Sequence, residues 1–155
     1  MKIIDYSDEY RERVIAMILH IQNGEAGIGL PLEEQPDLLD VKRYYLDNGG
    51  RFWLAVEGGE LVGTVALMNK GGGNGVLKKF FVRSDMRGKG LGLALYGELL
   101  KFARGSGFKR ILLDTPSVAE RSHRFYERAG FRRVDEPPFE YDFPDRNSYL
   151  YLLEL

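Results

Sequence analysis

The residues with the most chemical content lie in one stretch, FFVRSDMRGKGLGLALYGELL, residues 80–100. An apolar run ends at Val82, a short loop passes Arg87, and Gly88, Gly90 and Gly92 open a helix. Glycine lets a backbone turn tightly and approach a ligand, the first N–H groups of a helix lack intrahelical partners, and the helix dipole adds partial positive charge. Together these features make a pyrophosphate site, with Arg87 and Lys89 adding full charges at its lip. Two other phosphate loops do not fit: G-x-G-x-x-G would need glycine where Leu93 stands, and G-x-x-x-x-G-K-[ST] is absent. The remaining alternative is a tight strand-to-helix turn without a ligand. A second glycine cluster, Gly71-Gly72-Gly73-Asn74-Gly75, opens no helix and reads as a plain connecting loop.

Charge is distributed around this segment unevenly. Residues 76–110 hold nine basic side chains (Lys78, Lys79, Arg83, Arg87, Lys89, Lys101, Arg104, Lys109, Arg110) against two acidic ones (Asp85, Glu98), so a net charge of −1 hides a local +7 and a remainder of −8. Such a split points to one part of the molecule facing an anion and another facing a cation. No aromatic–basic reader motif accompanies the basic window, which argues against nucleic acid. With no cysteine there is no thiol nucleophile, disulfide framework or thiolate metal site, and two histidines make a His-rich metal site an unpromising reading. No apolar run reaches the ~18 residues of a membrane span, and MKIIDYSDEYRERV places acids where a signal peptide would be basic and apolar. A soluble, cytoplasmic protein with no metal is the expectation. The 155 residues, 44% of them hydrophobic, suit a single domain spanning residues 1–155.

The elements that must position the loop follow from periodicity. Residues 1–6 read as a strand, and Ser7 as the N-cap of a helix ending near Asn23-Gly24, with Val14, Met17, Ile18 and Ile21 on one face. Residues 24–37 are a long loop or broken helix, and Leu38 to Tyr45 is helical again. Strands at 51–57 and 60–68 flank Gly58-Gly59, the spacing of a primed hairpin turn, and 76–82 is the next strand. A helix from Gly90 to Arg104 carries Leu91, Leu95, Leu99 and Phe102 on its inner face. A strand at 109–115, a helix at 118–129 and strands at 131–134 and 148–155 complete a mixed α/β order, with Trp53 in the core.

Arg87-Gly88-Lys89-Gly90-Leu91-Gly92 resembles the R/Q-x-x-G-x-G/A pyrophosphate motif of the GCN5-related N-acetyltransferases, the GNAT family. The preceding LKKFFV strand and RFYERAGF (124–131), which is similar to the family's F-Y-x-x-x-G-F segment, stand in the right order. The resemblance spans roughly residues 50–135. It implies a mixed, mostly antiparallel sheet of six to seven strands with helices on both faces, and acetyl-CoA as co-substrate. It also implies that residues 88–92 offer N–H groups to the pyrophosphate beside Arg87, and that Phe80, Phe81 and Val82 hold the pantetheine arm and thioester, with the sheet bulged near Phe80. Tyr126 matches the tyrosine that protonates the departing thiolate in many members, a role open to a phenol of pKa ~10.

The sequence departs from the family pattern at two places. Ala119 stands where many members have Asn, with Ser117 or Ser122 as substitutes, and Val76 stands where some carry a glutamate base. The base is then sought elsewhere, among Glu25, Glu33, Glu34, Glu140 and Asp142. His123 and His20 read as packing or surface residues. The resemblance places the acceptor between residues 24–40, which hold Glu25, Glu33, Glu34, Asp37 and Asp40 with no basic residue, and 135–145, which hold five acids and no base. Acidic walls suit a cationic small-molecule or peptide amine, with Glu33, Glu34 and Tyr141 as substrate contacts and Tyr44, Tyr45 and Phe143 as stacking surface. A homodimer is compatible with this reading, and a non-catalytic acyl-CoA-binding or sensor domain is its alternative.

Overall fold

Two hairpins built on paired glycines set up the first half of the sheet. The computed structural model describes residues 1–142 and 147–155. Strand β1 (Lys2–Asp5) pairs antiparallel with β2 (Arg51–Glu57), and β2 with β3 (Glu60–Gly71). Gly58 and Gly59 join β2 to β3 with φ of 58° and 80°, the double left-handed geometry of a primed turn. Gly72 and Gly73, at 64° and 82°, join β3 to β4 (Asn74–Val82) in the same way. The five-residue loop expected at 71–75 is therefore a two-residue turn, and both strands run further than the 60–68 and 76–82 expected from the sequence. Gly75 in turn approaches its neighbours closely: an added Cβ would lie 2.9 Å from the Leu67 side chain and 3.0 Å from the Phe108 ring.

Between β1 and β2 the chain is helical but broken. A 3-10 turn leads into α1 (Arg11–Leu19), which ends in a π-helical turn, His20–Glu25. Ser7 makes no capping hydrogen bond, in contrast to its expected role. The helix expected over 38–45 is two short pieces, α2 (Pro36–Leu39) and α3 (Val41–Tyr44). The break is at Asp40, whose non-helical backbone lets its carboxylate accept the N–H of Arg43 and start α3.

The second half supplies α4 (Leu91–Gly105), β5 (Arg110–Pro116), α5 (Glu120–Arg128), β6 (Arg132–Val134) and β7 (Ser148–Glu154). Among the described residues, seven strands form one sheet in the order β1-β2-β3-β4-β5-β7-β6, antiparallel except between β4 and β5. α4 and α5 cover one face through Leu91, Leu95, Tyr96, Leu99, Ala103 and Tyr126, over Trp53, Val65, Leu77, Ile111 and Leu113. α1 to α3 cover the other, with Val14, Ile18, Leu38, Val41 and Tyr45 over Phe52, Leu54 and Ala66. Val76, Leu112, Leu150 and Leu152 extend this second face beneath Phe139 and Tyr141. The mixed, mostly antiparallel seven-stranded sheet with helices on both faces agrees with the fold expected from the sequence.

Candidate active site

The parallel strands β4 and β5 stay together for only a short distance. Asn74, Gly75 and Val76 pair with Arg110, Ile111 and Leu112, and the pairing then stops. The cause lies on the other edge of β4. Thr64 of β3 faces Phe81 and Ala66 faces Lys78, so Lys79 and Phe80 together oppose Val65. Lys79 has a φ of 54°, and its carbonyl accepts a 2.7 Å hydrogen bond from the Thr64 hydroxyl. This bulge, beside Phe80 as the resemblance implies, bends β4 away from β5 and opens the sheet.

The extra residue also sets which side chains face each side. Phe80 and Val82 pack with the α4–α5 cluster and Phe81 with the α1–α3 cluster. Lys78 and Lys79 both project to the α1–α3 side: Lys78 lies 5.8 Å above the Tyr141 ring, and Lys79 bonds to Gln35.

At the end of β4 the chain passes a 3-10 turn, Ser84–Met86, and reaches the glycine loop. Gly88 and Gly90 are left-handed, at φ 77° and 82°, a geometry that a side chain would strain. Gly92 is already helical, and a Cβ there would meet the Phe80 ring at an ordinary 3.7 Å. The first turn of α4 closes with Ala94 N–H on the Gly90 carbonyl, so the N–H groups of Leu91, Gly92 and Leu93 precede the helical ladder. Leu91 is buried, which anchors this end of α4 to the core. Lys89 is exposed, while Arg87 is held: its Nε donates to the Val82 carbonyl at 3.0 Å and its Nη2 to Glu25 at 2.8 Å.

Tyr126, on α5, is buried among the rings of Phe80, Phe125, Phe131 and Tyr151. Burial, and then the charge of Asp114, pushes its phenol above the ordinary tyrosine range, so it is protonated at neutral pH. Its hydroxyl has no hydrogen-bond partner among the described residues. His123, three residues earlier, donates from Nε2 to the Pro116 carbonyl at 2.9 Å and stacks on Tyr149 and Tyr151, the packing role expected of it. Ala119, at the N-cap of α5, supplies no side-chain hydrogen bond.

The opposite wall is a buried polar network that the sequence did not reveal. Gln35 donates to Gln22 at 2.7 Å and accepts from Lys79 at 2.7 Å; Lys79 Nζ lies 3.5 Å from Asp37, which also accepts the Tyr45 hydroxyl at 2.6 Å. Burial lowers the Lys79 pKa from its ordinary value, with Asp37 opposing that shift, while burial and Asp37 push Tyr45 upward. Tyr45 is fully buried, so it is not available as a stacking surface for an acceptor. Nearby, Tyr141 donates a short hydrogen bond to Asp114 on β5.

Several acids expected to face an acceptor are already engaged: Glu25 by Arg87, Asp37 by Lys79 and Tyr45, and Asp40 by the start of α3. Glu33 and Glu34 are exposed on a 3-10 turn, Leu32–Glu34. Glu140, Tyr141 and Asp142 line a shallow cavity of about 260 Å³ with Lys70 and Phe139. Phe143 and Asp145 lie outside the described residues. The signal that could have found Asp114 and Lys79 was present: a carboxylate in the apolar run ILLDT and a lysine pair in LKKFFV each interrupt a strand that is otherwise buried.

Residues 11–131 match the family described as Acetyltransferase (GNAT) family. Among curated relatives, the N-acetylaspartate synthetase of Danio rerio is 38% identical over 102 residues, covering 64% of this chain and 36% of that protein. The chain thus spans about a third of that relative's length. Among solved structures, an acetyltransferase from Streptococcus agalactiae 2603 is 37% identical with a TM-score of 0.94, covering 99% of this chain and 98% of the other. A GNAT-family acetyltransferase from Staphylococcus aureus Mu50 is 30% identical with a TM-score of 0.92 and the same coverage.

Proposed function

Because the chain belongs to the Acetyltransferase (GNAT) family, we propose that residues 1–155 act as a single domain that transfers an acetyl group from acetyl-CoA to a primary amine. The observation that carries this reading is the opening of β4 from β5 beyond Val76 and Leu112, with the N-terminus of α4 packed beside Phe80 and Val82 and approached through left-handed Gly88 and Gly90. Residues 88–92 fit a pyrophosphate, since their N–H groups lie ahead of the α4 ladder and no side chain fills the turn. Lys89 adds charge at the lip, and Arg87 lies within the same loop. The main chain of Phe80, Phe81 and Val82 runs along the opening, where it would hold the pantetheine arm and thioester.

In this reading the neutral amine attacks the thioester carbonyl carbon and the C–N bond forms. Negative charge develops on the carbonyl oxygen beside the β4 main chain. The C–S bond then breaks, and Tyr126 gives its proton to the departing sulfur. Its raised pKa keeps this phenol protonated at neutral pH, so it carries the proton to be given. Acetyl-CoA dependence is also the ground for proposing a cytoplasmic location. Among the described residues no helix is long and apolar enough to cross a membrane.

The acceptor is a primary amine whose cationic form is drawn by Glu33 and Glu34 at the exposed rim and by the Tyr141–Asp114 pair further in. A second reading of the acceptor is an amino acid with a carboxylate beside its amine. It is favoured by Lys78, which reaches over Tyr141, and by the product named for the N-acetylaspartate synthetase relative. Incubation with acetyl-CoA and a panel of polyamines, amino-sugars, amino acids and peptide N-termini, with mass detection of products, tests the proposal. An acetylated amine with release of free thiol supports transfer. Acetyl-CoA binding without product across the panel would favour a non-catalytic acyl-CoA-binding domain, and preference for an acidic amino acid over a polyamine would favour the second acceptor.

A further inference from the structure

We propose that Lys78 sets the acceptor's specificity: it holds a free carboxylate on the acceptor, so that the amine acetylated is that of a free amino acid. This rests on the acetyl-transfer reading above and decides between its two acceptors. LKKFFV sends two adjacent lysines to the α1–α3 side of β4. Taking cations out of water on one sheet face is costly unless each finds a partner. Lys79 has partners, Gln35 at 2.7 Å and Asp37 at 3.5 Å. Lys78 is half-buried and makes neither a hydrogen bond nor an ion pair among the described residues. It lies 5.8 Å from the centre of the Tyr141 ring, which attracts an ammonium but leaves its N–H donors open. What the fold supplies to Lys79 is left, at Lys78, for a ligand.

The place of this cation selects the ligand. Tyr141 bonds through its hydroxyl to Asp114 on β5, past Leu112, where the pairing with β4 has ended. Lys78, over the same ring, therefore stands at the opening, on the face away from Phe80, Val82 and Tyr126. Phe80, whose main chain would hold the thioester, is only about 7 Å further along the strand. The phosphates of the cofactor are assigned to residues 88–92, beyond the end of β4 and the Ser84–Met86 turn, so the anion that meets Lys78 belongs to the acceptor. An amine at the thioester and a carboxylate at Lys78 are then separated by few bonds, as they are in an amino acid. Lys78 over the ring of Tyr141 and Asp114 at its hydroxyl present opposite charges, which complement a zwitterion. A peptide N-terminus carries a neutral amide in place of that carboxylate, an amino-sugar carries none, and a polyamine brings a second ammonium that Lys78 repels. The acids of 24–40 do not reverse this preference: Glu25, Asp37 and Asp40 are engaged within the fold, and Glu33 and Glu34 stay at the exposed rim.

The test measures kcat/KM with acetyl-CoA for each free amino acid of the panel and for its primary amide, in wild type, Lys78→Met and Lys78→Arg. In wild type the best free amino acid should exceed its amide by about 10- to 100-fold, the worth of a charge-assisted hydrogen bond. Amine basicity does not supply this preference, because the carboxylate favours the unreactive ammonium form and the amide does not. In Lys78→Met the ratio of acid to amide should fall toward one, chiefly through a higher KM for the acid, while Lys78→Arg should keep most of it. Wild type that acetylates amides, peptide N-termini or polyamines as well as free amino acids would overturn the role of Lys78 and leave acetyl transfer standing. An acid-to-amide ratio unchanged in Lys78→Met would overturn it equally. If Lys78→Met does not fold, the wild-type ratio of acid to amide decides alone. Wild type that binds acetyl-CoA and acetylates no amine would overturn the transfer reading, and the specificity with it.

Discussion

Lys79 Nζ donates a 2.7 Å hydrogen bond to Gln35 Oε1, 44 residues earlier in the chain. It ties the bulge of β4, where Lys79 adopts its left-handed backbone, to the segment that leads into α2. The same ammonium lies 3.5 Å from Asp37, so one side chain joins the strand that opens the sheet to the wall opposite it. Lys79→Met removes both contacts and leaves Asp37 buried with Tyr45 as its remaining partner, which should cost about 1–3 kcal/mol in urea unfolding at pH 7.

The pH dependence of that variant has a defined sign. Burial lowers the Lys79 pKa in the folded protein, so at intermediate pH the unfolded chain binds this proton more readily. Below the folded pKa the buried charge carries its full cost, and the cost fades as pH rises toward the ordinary lysine value near ~10.4. Wild type should therefore gain stability relative to Lys79→Met as pH rises from neutral toward the ordinary lysine value. A difference that shrinks over this range would contradict the assignment.

Arg87 is shared between the Val82 carbonyl and Glu25, which places a negative charge beside the residue expected at the pyrophosphate. Glu25→Gln removes that charge and should tighten acetyl-CoA binding by about threefold at low salt, with the gain fading as salt is added. Arg87→Gln should weaken binding by about tenfold. Weaker binding in Glu25→Gln, measured by calorimetry, would show that the ion pair shapes the site and does not compete for it.

The three glycines of the loop should respond differently to alanine. Gly88 and Gly90 are left-handed, so Gly88→Ala and Gly90→Ala should each cost about 1–2 kcal/mol of stability and weaken acetyl-CoA binding. Gly92→Ala has helical backbone and room for its methyl group, and should be tolerated or slightly stabilising. Thermal unfolding with and without acetyl-CoA separates the two outcomes.

Tyr126→Phe should lower kcat by about 10²-fold while leaving acetyl-CoA affinity and stability nearly unchanged, because the hydroxyl makes no hydrogen bond among the described residues that would be lost. Since burial and Asp114 raise its pKa, the phenol stays protonated, and kcat should show no alkaline fall from this group up to about pH 10. Unchanged kcat in Tyr126→Phe would remove the residue from the proton path.

What the sequence made legible was local. Gly58-Gly59 announced a primed turn, the apolar run of 51–57 a strand, and Arg87 to Gly92 a glycine-rich strand-to-helix turn, because each depends on neighbouring residues. The break at Asp40 escaped because a single non-helical residue inside a helical period leaves no strong mark. The bulge at Lys79 was legible from the resemblance alone, since it arises from pairing with β3. Partnerships over long separations were hidden altogether: Arg87 with Glu25, Lys79 with Gln35, and Tyr141 with Asp114 exist because the sheet order brings distant strands and loops together. The acidic composition of 24–40 was read correctly as charge, but the folded chain spends much of it on its own lysine, arginine and helix N-terminus.

A crystal structure of the complex with coenzyme A tests the central claim most directly. The account predicts the pyrophosphate on the N–H groups of residues 88–92, the pantetheine arm along Phe80 to Val82, and the sulfur in the opening between β4 and β5 beside Tyr126. Coenzyme A lying elsewhere, for example across the cavity formed by Lys70 and residues 139–142, with the opening between β4 and β5 empty, would contradict it.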